Sequence, residues 1–106
     1  VKPLTLPLQL PLWELAQFSS SREHMRQLLG APHYTETDST RTFGGEEEAW
    51  GLSLPSGQRV LITFQVPYGT AVICADPPSV KPVLAALGLS TSALGVTVLS
   101  QPVPLS

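Results

Sequence analysis

The chain has 106 residues, 42% hydrophobic and only 13% charged, with a formal net charge of −2. That length suits one domain, and the balance favours a folded domain over intrinsic disorder, which goes with low hydrophobicity and high charge. The six Lys and Arg residues are scattered (Lys2, Arg22, Arg26, Arg41, Arg59, Lys81), so the clustered basic face needed for phosphate binding is missing and nucleic acid is not an expected partner.

No apolar run approaches the ~20 residues of a membrane-spanning helix, so no membrane association is expected. Cys74 is the single cysteine and permits no internal disulfide. A cytoplasmic or otherwise disulfide-independent protein is the expectation, and a chain of this size can bury a core without disulfides or metal.

In chain order, Leu4, Leu6, Leu8, Leu10 and Leu12 alternate with the strand period. Pro7 and Pro11 fall on the opposite parity. Proline cannot donate to a ladder, so residues 1–12 read as an extended apolar arm or edge strand. Packing along its own domain is the favoured use of the arm; pairing with a second copy, to give a homodimer, is the alternative. Pro3, Pro7 and Pro11 interrupt the segment, and no basic region precedes an unbroken apolar core, so it does not read as a signal peptide.

Pro11 to Phe18 reads as a short helix, with proline in the first turn, Leu12, Leu15 and Ala16 on one face, and Trp13 as a core anchor. Ser20 to Leu29 is the clearest helix. Ser20 and Glu23 have capping-box spacing, Met25, Leu28 and Leu29 form an apolar stripe, Gly30 suits a left-handed C-terminal cap, and Pro32 prevents continuation. His33 to Gly45 is polar and reads as a loop, with a short strand at Tyr34 to Glu36.

Three strands follow. Glu47 to Leu54 places Trp50, Leu52 and Leu54 on one face. Gln58 to Val66 places Val60, Ile62, Phe64 and Val66 on one face. Thr70 to Ala75 is apolar on both faces, which predicts cover on both sides. Turn signals at Pro55–Gly57 and Pro67–Gly69 connect them, and such short turns imply an antiparallel meander. Asp76-Pro77-Pro78 stops the third strand. Ser79 caps a helix to Leu87, ended by Gly88, with Val80, Val83, Leu84 and Leu87 as its stripe. Val96 to Leu99 reads as a last strand and residues 101–106 as a tail.

The expected fold is therefore one α+β domain over residues 1–106. It is a small antiparallel sheet with a central three-stranded meander and two to three helices packed on one face. Trp50, Ile62, Phe64, Leu28 and Leu84 should share its core.

The order of a helix, Leu29-Gly30-Ala31-Pro32, a polar loop, Trp50 on a strand and then a meander has a parallel. It resembles the helix-pair-plus-antiparallel-sheet unit of β-lactamase-inhibitor proteins and of small outer-membrane assembly lipoproteins. Those share a Leu-Gly-x-Pro helix end and an aromatic on the following strand. The likeness covers roughly half of the chain. The sequence departs from the lipoproteins in lacking a visible lipidation signal and in adding the helix at Ser79 to Leu87, and from the inhibitors in lacking their disulfides. The resemblance implies a scaffold for binding other proteins and carries over no functional residue.

Charge is the strongest chemical asymmetry. Glu36, Asp38, Glu46, Glu47 and Glu48 against Arg41 alone give residues 33–50 a net −4, while five bases and three acids give the remainder +2. Such a patch suits a basic protein partner and speeds encounter with it; it also suits a solvated loop. Tyr34, Glu36, Asp38, Arg41, Glu46 and Glu47 are the candidate partner-binding residues.

No metal or cofactor is expected. His33, Glu36 and Asp38 are the nearest approach to a ligand or acid–base cluster, but zinc sites need three or four convergent ligands, and the second histidine, His24, lies nine residues away. Cys74 lies in an apolar strand, where cysteine is an inert small hydrophobe. No serine lies in Gly-x-Ser-x-Gly, and Gly44-Gly45 precedes an acidic run that would repel phosphate. Of the three consecutive glutamates, only Glu46 and Glu48 can converge on one strand face. No catalytic residue is assigned.

The reading is a non-enzymatic protein-binding domain, most concretely a bacterial immunity or inhibitor-type protein using an acidic loop. A structural self-association module, and a small ligand-binding domain or enzyme centred on His33, Glu36 and Asp38, are the alternatives.

Overall fold

Period-two hydrophobicity over residues 47–75 builds the centre of the molecule. The computed structural model describes residues 2–6, 8–9, 11–42, 44–89 and 96–105. Val1, Pro7 and Leu10 of the predicted arm and Ser106 of the predicted tail lie outside them. The elements are β1 (Lys2–Pro3), β2 (Trp13–Ser19), α1 (Arg22–Leu29), β3 (Tyr34–Ser39), a 3-10 turn (Thr40–Thr42), β4 (Gly45–Ser53), β5 (Arg59–Gln65), β6 (Thr70–Asp76), α2 (Val80–Leu87) and β7 (Thr97–Pro104).

This is a small α+β protein with a seven-stranded antiparallel sheet, ordered β1-β4-β5-β6-β2-β7, with β3 also paired to β4. Two helices are present among the described residues. β4, β5 and β6 are sequential antiparallel neighbours whose registers stack Trp50, Ile62 and Ile73 in one row and Leu52, Val60 and Ala75 in another. These rows meet Met25 of α1 and Val83, Leu84 and Leu87 of α2 in one hydrophobic core. Trp50, Ile62 and Phe64 are at most 1% exposed, Leu84 is buried, and Leu28 packs against the core as a half-buried residue.

The predicted helix over Pro11 to Phe18 is instead strand β2, hydrogen-bonded between β6 and β7. A bulge explains the misleading pattern. Glu14 opposes Cys74 and Ala16 opposes Ile73, so β2 has one residue more than β6 at Leu15. An extra residue reverses the facing of everything beyond it. Leu15 and Ala16 are consequently both buried, and that adjacency imitates a helical face. Trp13 does pack against the core.

The predicted tail is also a strand. β7 continues to Pro104, opposite Trp13, and the Leu105 N–H donates to the Leu12 carbonyl at 2.9 Å. Four residues of β7 between Val98 and Val103 face the single Leu15 between Glu14 and Ala16, so this edge is strongly bulged. Edge strands are blunted in this way, and by prolines such as Pro102 and Pro104.

The helix boundaries follow their signals with three corrections. The N-cap of α1 is Ser21, whose Oγ accepts from the His24 N–H at 3.1 Å. Ser20, the expected cap, instead donates its backbone N–H to Gly69 at 2.8 Å. Gly30 closes α1 with its N–H on the Arg26 carbonyl, at φ 80° but outside the left-handed helical region. Ser79 occupies the N-cap position of α2 without a side-chain capping bond. Gly88 takes the left-handed conformation, and the Leu89 N–H reaches back to the Leu84 carbonyl at 2.9 Å, the 6→1 bond of a Schellman end.

The N-terminal arm forms only a two-residue strand, Lys2–Pro3, opposite Ser53 and Leu52. Beyond it, the chain must pass from the β4 edge to β2, and it does so over the sheet face away from the helices. Leu4 and Leu6 lie against Gly51. Arg59 then donates to the Gln9 and Pro11 carbonyls at 2.6 and 3.0 Å while pairing with Asp76 at 2.8 Å. Gly51 and Arg59 neighbour core-facing Leu52 and Val60, so strand alternation places them on the second face. Leu12 and Cys74 are buried outside the main core cluster, which agrees with cover on both sides of β6.

Candidate functional site

The acidic segment is more regular than the expected loop with a short strand at Tyr34 to Glu36: that strand is present and longer. It folds into strand β3, a 3-10 turn and the start of β4. Tyr34 opposes Ala49, Thr35 opposes Glu48 and Glu36 opposes Glu47, with a bulge before Ser39. Thr42 closes the turn, its hydroxyl donating to carbonyls of Ser39 and Gly45.

Strand alternation divides the three consecutive glutamates. Glu46 and Glu48 face α1, where Arg22 pairs with Glu46 and both Arg22 and Arg26 pair with Glu48. Arg26 Nη2 is 2.7 Å from Glu48 Oε2, and Arg22 Nε is 3.1 Å from the same atom. Glu48 has no exposed side-chain surface, whereas the arginines are 41% and 48% exposed. Glu47 points to the other face and is buried. Two of the five carboxylates are thus neutralised against α1, while Asp38 is exposed and Glu36 half-buried on the strand that carries exposed Tyr34. The backbone of Arg41 lies in the 3-10 turn. Of the six candidate partner-binding residues, Tyr34, Glu36 and Asp38 share β3, an edge strand paired only to β4 among the described residues.

Sequence reasoning missed the arginine–glutamate cluster, although a readable signal was present. Residues i and i+4 on a helix are about 6 Å apart along its axis, and residues i and i+2 on a strand about 6.7 Å. Arg22 and Arg26 on α1 therefore match Glu46 and Glu48 on β4 in spacing as well as charge. The Glu48 hydrogen bond is the chief cause holding the Arg26 guanidinium above its ordinary pKa; desolvation opposes it, and charge attraction from Glu48 and Glu46 adds to it.

His33 serves the sheet. Gly51 falls between the stretches of β4 that pair with β3 and with β1, and its N–H donates to His33 Nδ1 at 3.0 Å. The imidazole thus fills a gap in the ladder, with its hydrogen on Nε2. A groove of about 370 Å³ opens beside it, between Leu28 and Leu29 of α1, Ala86 and Leu87 of α2, and Leu52 of β4. Glu36 and Asp38 do not line this groove, so the suggested His33, Glu36 and Asp38 cluster is not assembled there. No group of three or more His, Cys, Asp or Glu residues able to hold a metal occurs among the described residues. Cys74 is buried.

Comparison with family models, with curated proteins and with solved structures finds no match to this chain. No helix among the described residues is long and apolar enough to cross a membrane.

Proposed function

We propose that this chain is a non-enzymatic protein-binding domain whose contact surface is centred on edge strand β3, with a basic protein as partner. The observation that carries the reading is the combination on one edge strand of a half-exposed aromatic, Tyr34 at 52%, with half-buried Glu36 and exposed Asp38. Aromatic side chains supply large, stiff contact area in interfaces. An open strand edge offers backbone groups to an incoming strand. Two unneutralised carboxylates steer a basic partner to it. An immunity or inhibitor-type role is the most concrete form of this reading, and the resemblance to inhibitor scaffolds points the same way.

The arginine pairing of Glu46 and the burial of Glu47 narrow the test to Glu36 and Asp38. Partners captured from the source cell by the wild type are compared with those captured by Glu36→Gln/Asp38→Asn, and association rates are measured at two salt concentrations. The double variant should keep its stability within about ±0.5 kcal/mol, as surface substitutions do. It should associate more slowly, and the wild-type rate should fall with salt, because exposed charges are screened over ~8 Å at physiological ionic strength. Equal capture with salt-independent rates would refute the proposal.

A further inference from the structure

Gly51 joins two parts of the sheet edge. Its carbonyl accepts from the Leu4 N–H at 2.8 Å, which seats the N-terminal arm, and its N–H donates to His33 Nδ1 at 3.0 Å. Both bonds lie in the gap between the stretches of β4 that pair with β3 and with β1. The arm presses on the same residue, since a Cβ at Gly51 would meet Leu6 Cδ2 and the Leu4 carbonyl oxygen. A backbone N–H can only donate, so Nδ1 is the acceptor nitrogen of a neutral imidazole. The imidazolium has no acceptor nitrogen. His33 is exposed and Gly51 is buried, so a proton reaches the ring while its partner lies out of water.

We propose that His33 is a pH-sensitive latch on the N-terminal arm: the neutral imidazole keeps the arm seated over β4, and protonation of the ring releases it. Protonation sets two N–H groups against each other across 3.0 Å, so the ring must swing away. The Gly51 N–H is then left without an acceptor at a buried position, which is the costly way to lose a hydrogen bond. Relief requires Gly51 to move, and its carbonyl carries the Leu4 N–H, so residues 2–6 loosen with it. The groove beside the ring is walled by Pro3, Leu52, Leu28, Leu29, Ala86 and Leu87, from β1, β4, α1 and α2. Of the charged residues on these elements and on β3, Arg22, Arg26, Glu46 and Glu48 pair with one another. Lys2, Glu23, Glu36, Asp38, Glu47 and Lys81 do not line the groove. Among the described residues, no carboxylate there offsets the loss of the Gly51 bond. The latch stands apart from the β3 reading and would hold if β3 bound nothing.

The test is amide exchange at Leu4, measured by NMR at about pH 7.5 and about pH 5, either side of the ordinary histidine value of ~6.5, and corrected for the intrinsic rate. Relative to Ile62 and Ile73 in the centre of the sheet, protection of Leu4 should fall roughly tenfold at the lower pH, the equilibrium effect of one hydrogen bond. Asparagine places its side-chain oxygen near the position of histidine Nδ1 and does not titrate. His33→Asn should therefore keep Leu4 protected at both pH values. It retains His24 and every carboxylate, so it separates the latch from general loosening by acid. His33→Phe has no acceptor and should leave Leu4 equally unprotected at both. In the wild type, the ring nitrogen shifts of His33 and the amide shifts of Gly51 and Leu4 should move with one midpoint. Protection of Leu4 that does not change with pH, the same loss in His33→Asn as in the wild type, or a His33 that titrates without moving Gly51 and Leu4 would each overturn the proposal.

Discussion

Arg26 grips Glu48 with two bonds, Nη2 at 2.7 Å from one carboxylate oxygen and Nε at 3.3 Å from the other, across 22 residues of chain. The pair is unequal in solvent: Glu48 has no exposed side-chain surface, while Arg26 is 48% exposed. That inequality predicts an asymmetric response to mutation. Replacing Glu48 with Met releases two half-exposed arginines and leaves only the buried Nε of Arg22 unpaired, so its loss of stability should be the smaller one. Replacing Arg22 and Arg26 with Met strands a buried carboxylate, and such a charge without its partner costs several kcal/mol. Urea denaturation midpoints of the two variants check the order; a larger loss for Glu48→Met would refute it. The bond to Glu48 raises the Arg26 pKa, so its contribution is fully present below the unfolded-state value and is lost only as pH rises through the folded one. That window lies far above neutrality, and the tie should hold through the physiological range.

Phe64 is 1% exposed and lies beside Ala71 of β6 in the ladder. Phe64→Ala should cost about 3–5 kcal/mol, the usual loss when a fully buried aromatic is truncated. An unshifted denaturation midpoint would show that Phe64 does not face the core.

The central strands were legible because their chemistry is local. Val60, Ile62 and Phe64 alternate with polar or less buried residues, and Pro55–Gly57 and Pro67–Gly69 mark the turns. β2 was illegible because its bulge at Leu15 depends on what β6 and β7 do many residues away. The start of β7 was legible at Val96 to Leu99, but its continuation to Pro104 was not, because proline argues against a strand locally while an edge position tolerates it. At the candidate site, composition located the carboxylates but not their partners. Strand alternation already set Glu46 and Glu48 on one face and Glu47 on the other, but only the packed sheet shows that the first face meets Arg22 and Arg26 of α1. His33 read as a candidate ligand, and its role in completing the β4 ladder follows from a gap that only the β1 and β3 registers create.

Cys74 is 4% exposed within β6 and opposes Leu61 and Glu14 on the flanking strands. Thiol reagents reach such a group only when the sheet opens, so modification under native conditions should be at least ~100-fold slower than in denaturant. The rate of thiol labelling against urea concentration measures this. Rapid labelling in native buffer would contradict its burial and revive a nucleophilic role.

Gly51 tests whether the N-terminal arm is held by its own sheet. A Cβ at this position would sit 2.8 Å from Leu6 Cδ2 and 3.0 Å from the Leu4 carbonyl oxygen, too close for either contact to persist unchanged. The Leu4 oxygen belongs to backbone, and the Leu4 N–H is itself bonded to the Gly51 carbonyl at 2.8 Å, so this stretch of arm cannot shift without disturbing that bond. Gly51→Ala should therefore lift the arm locally, at a cost of about 1–3 kcal/mol typical of overpacking. Two measurements separate this from general destabilisation. Amide exchange at Leu4 should rise sharply while exchange at Ile62 and Ile73, in the centre of the sheet, follows only the global change in stability. Limited proteolysis should cut first within residues 2–9. Unchanged protection at Leu4 would mean that the arm is not seated over Gly51, and pairing of the arm with a second copy would become the better account of its alternating leucines.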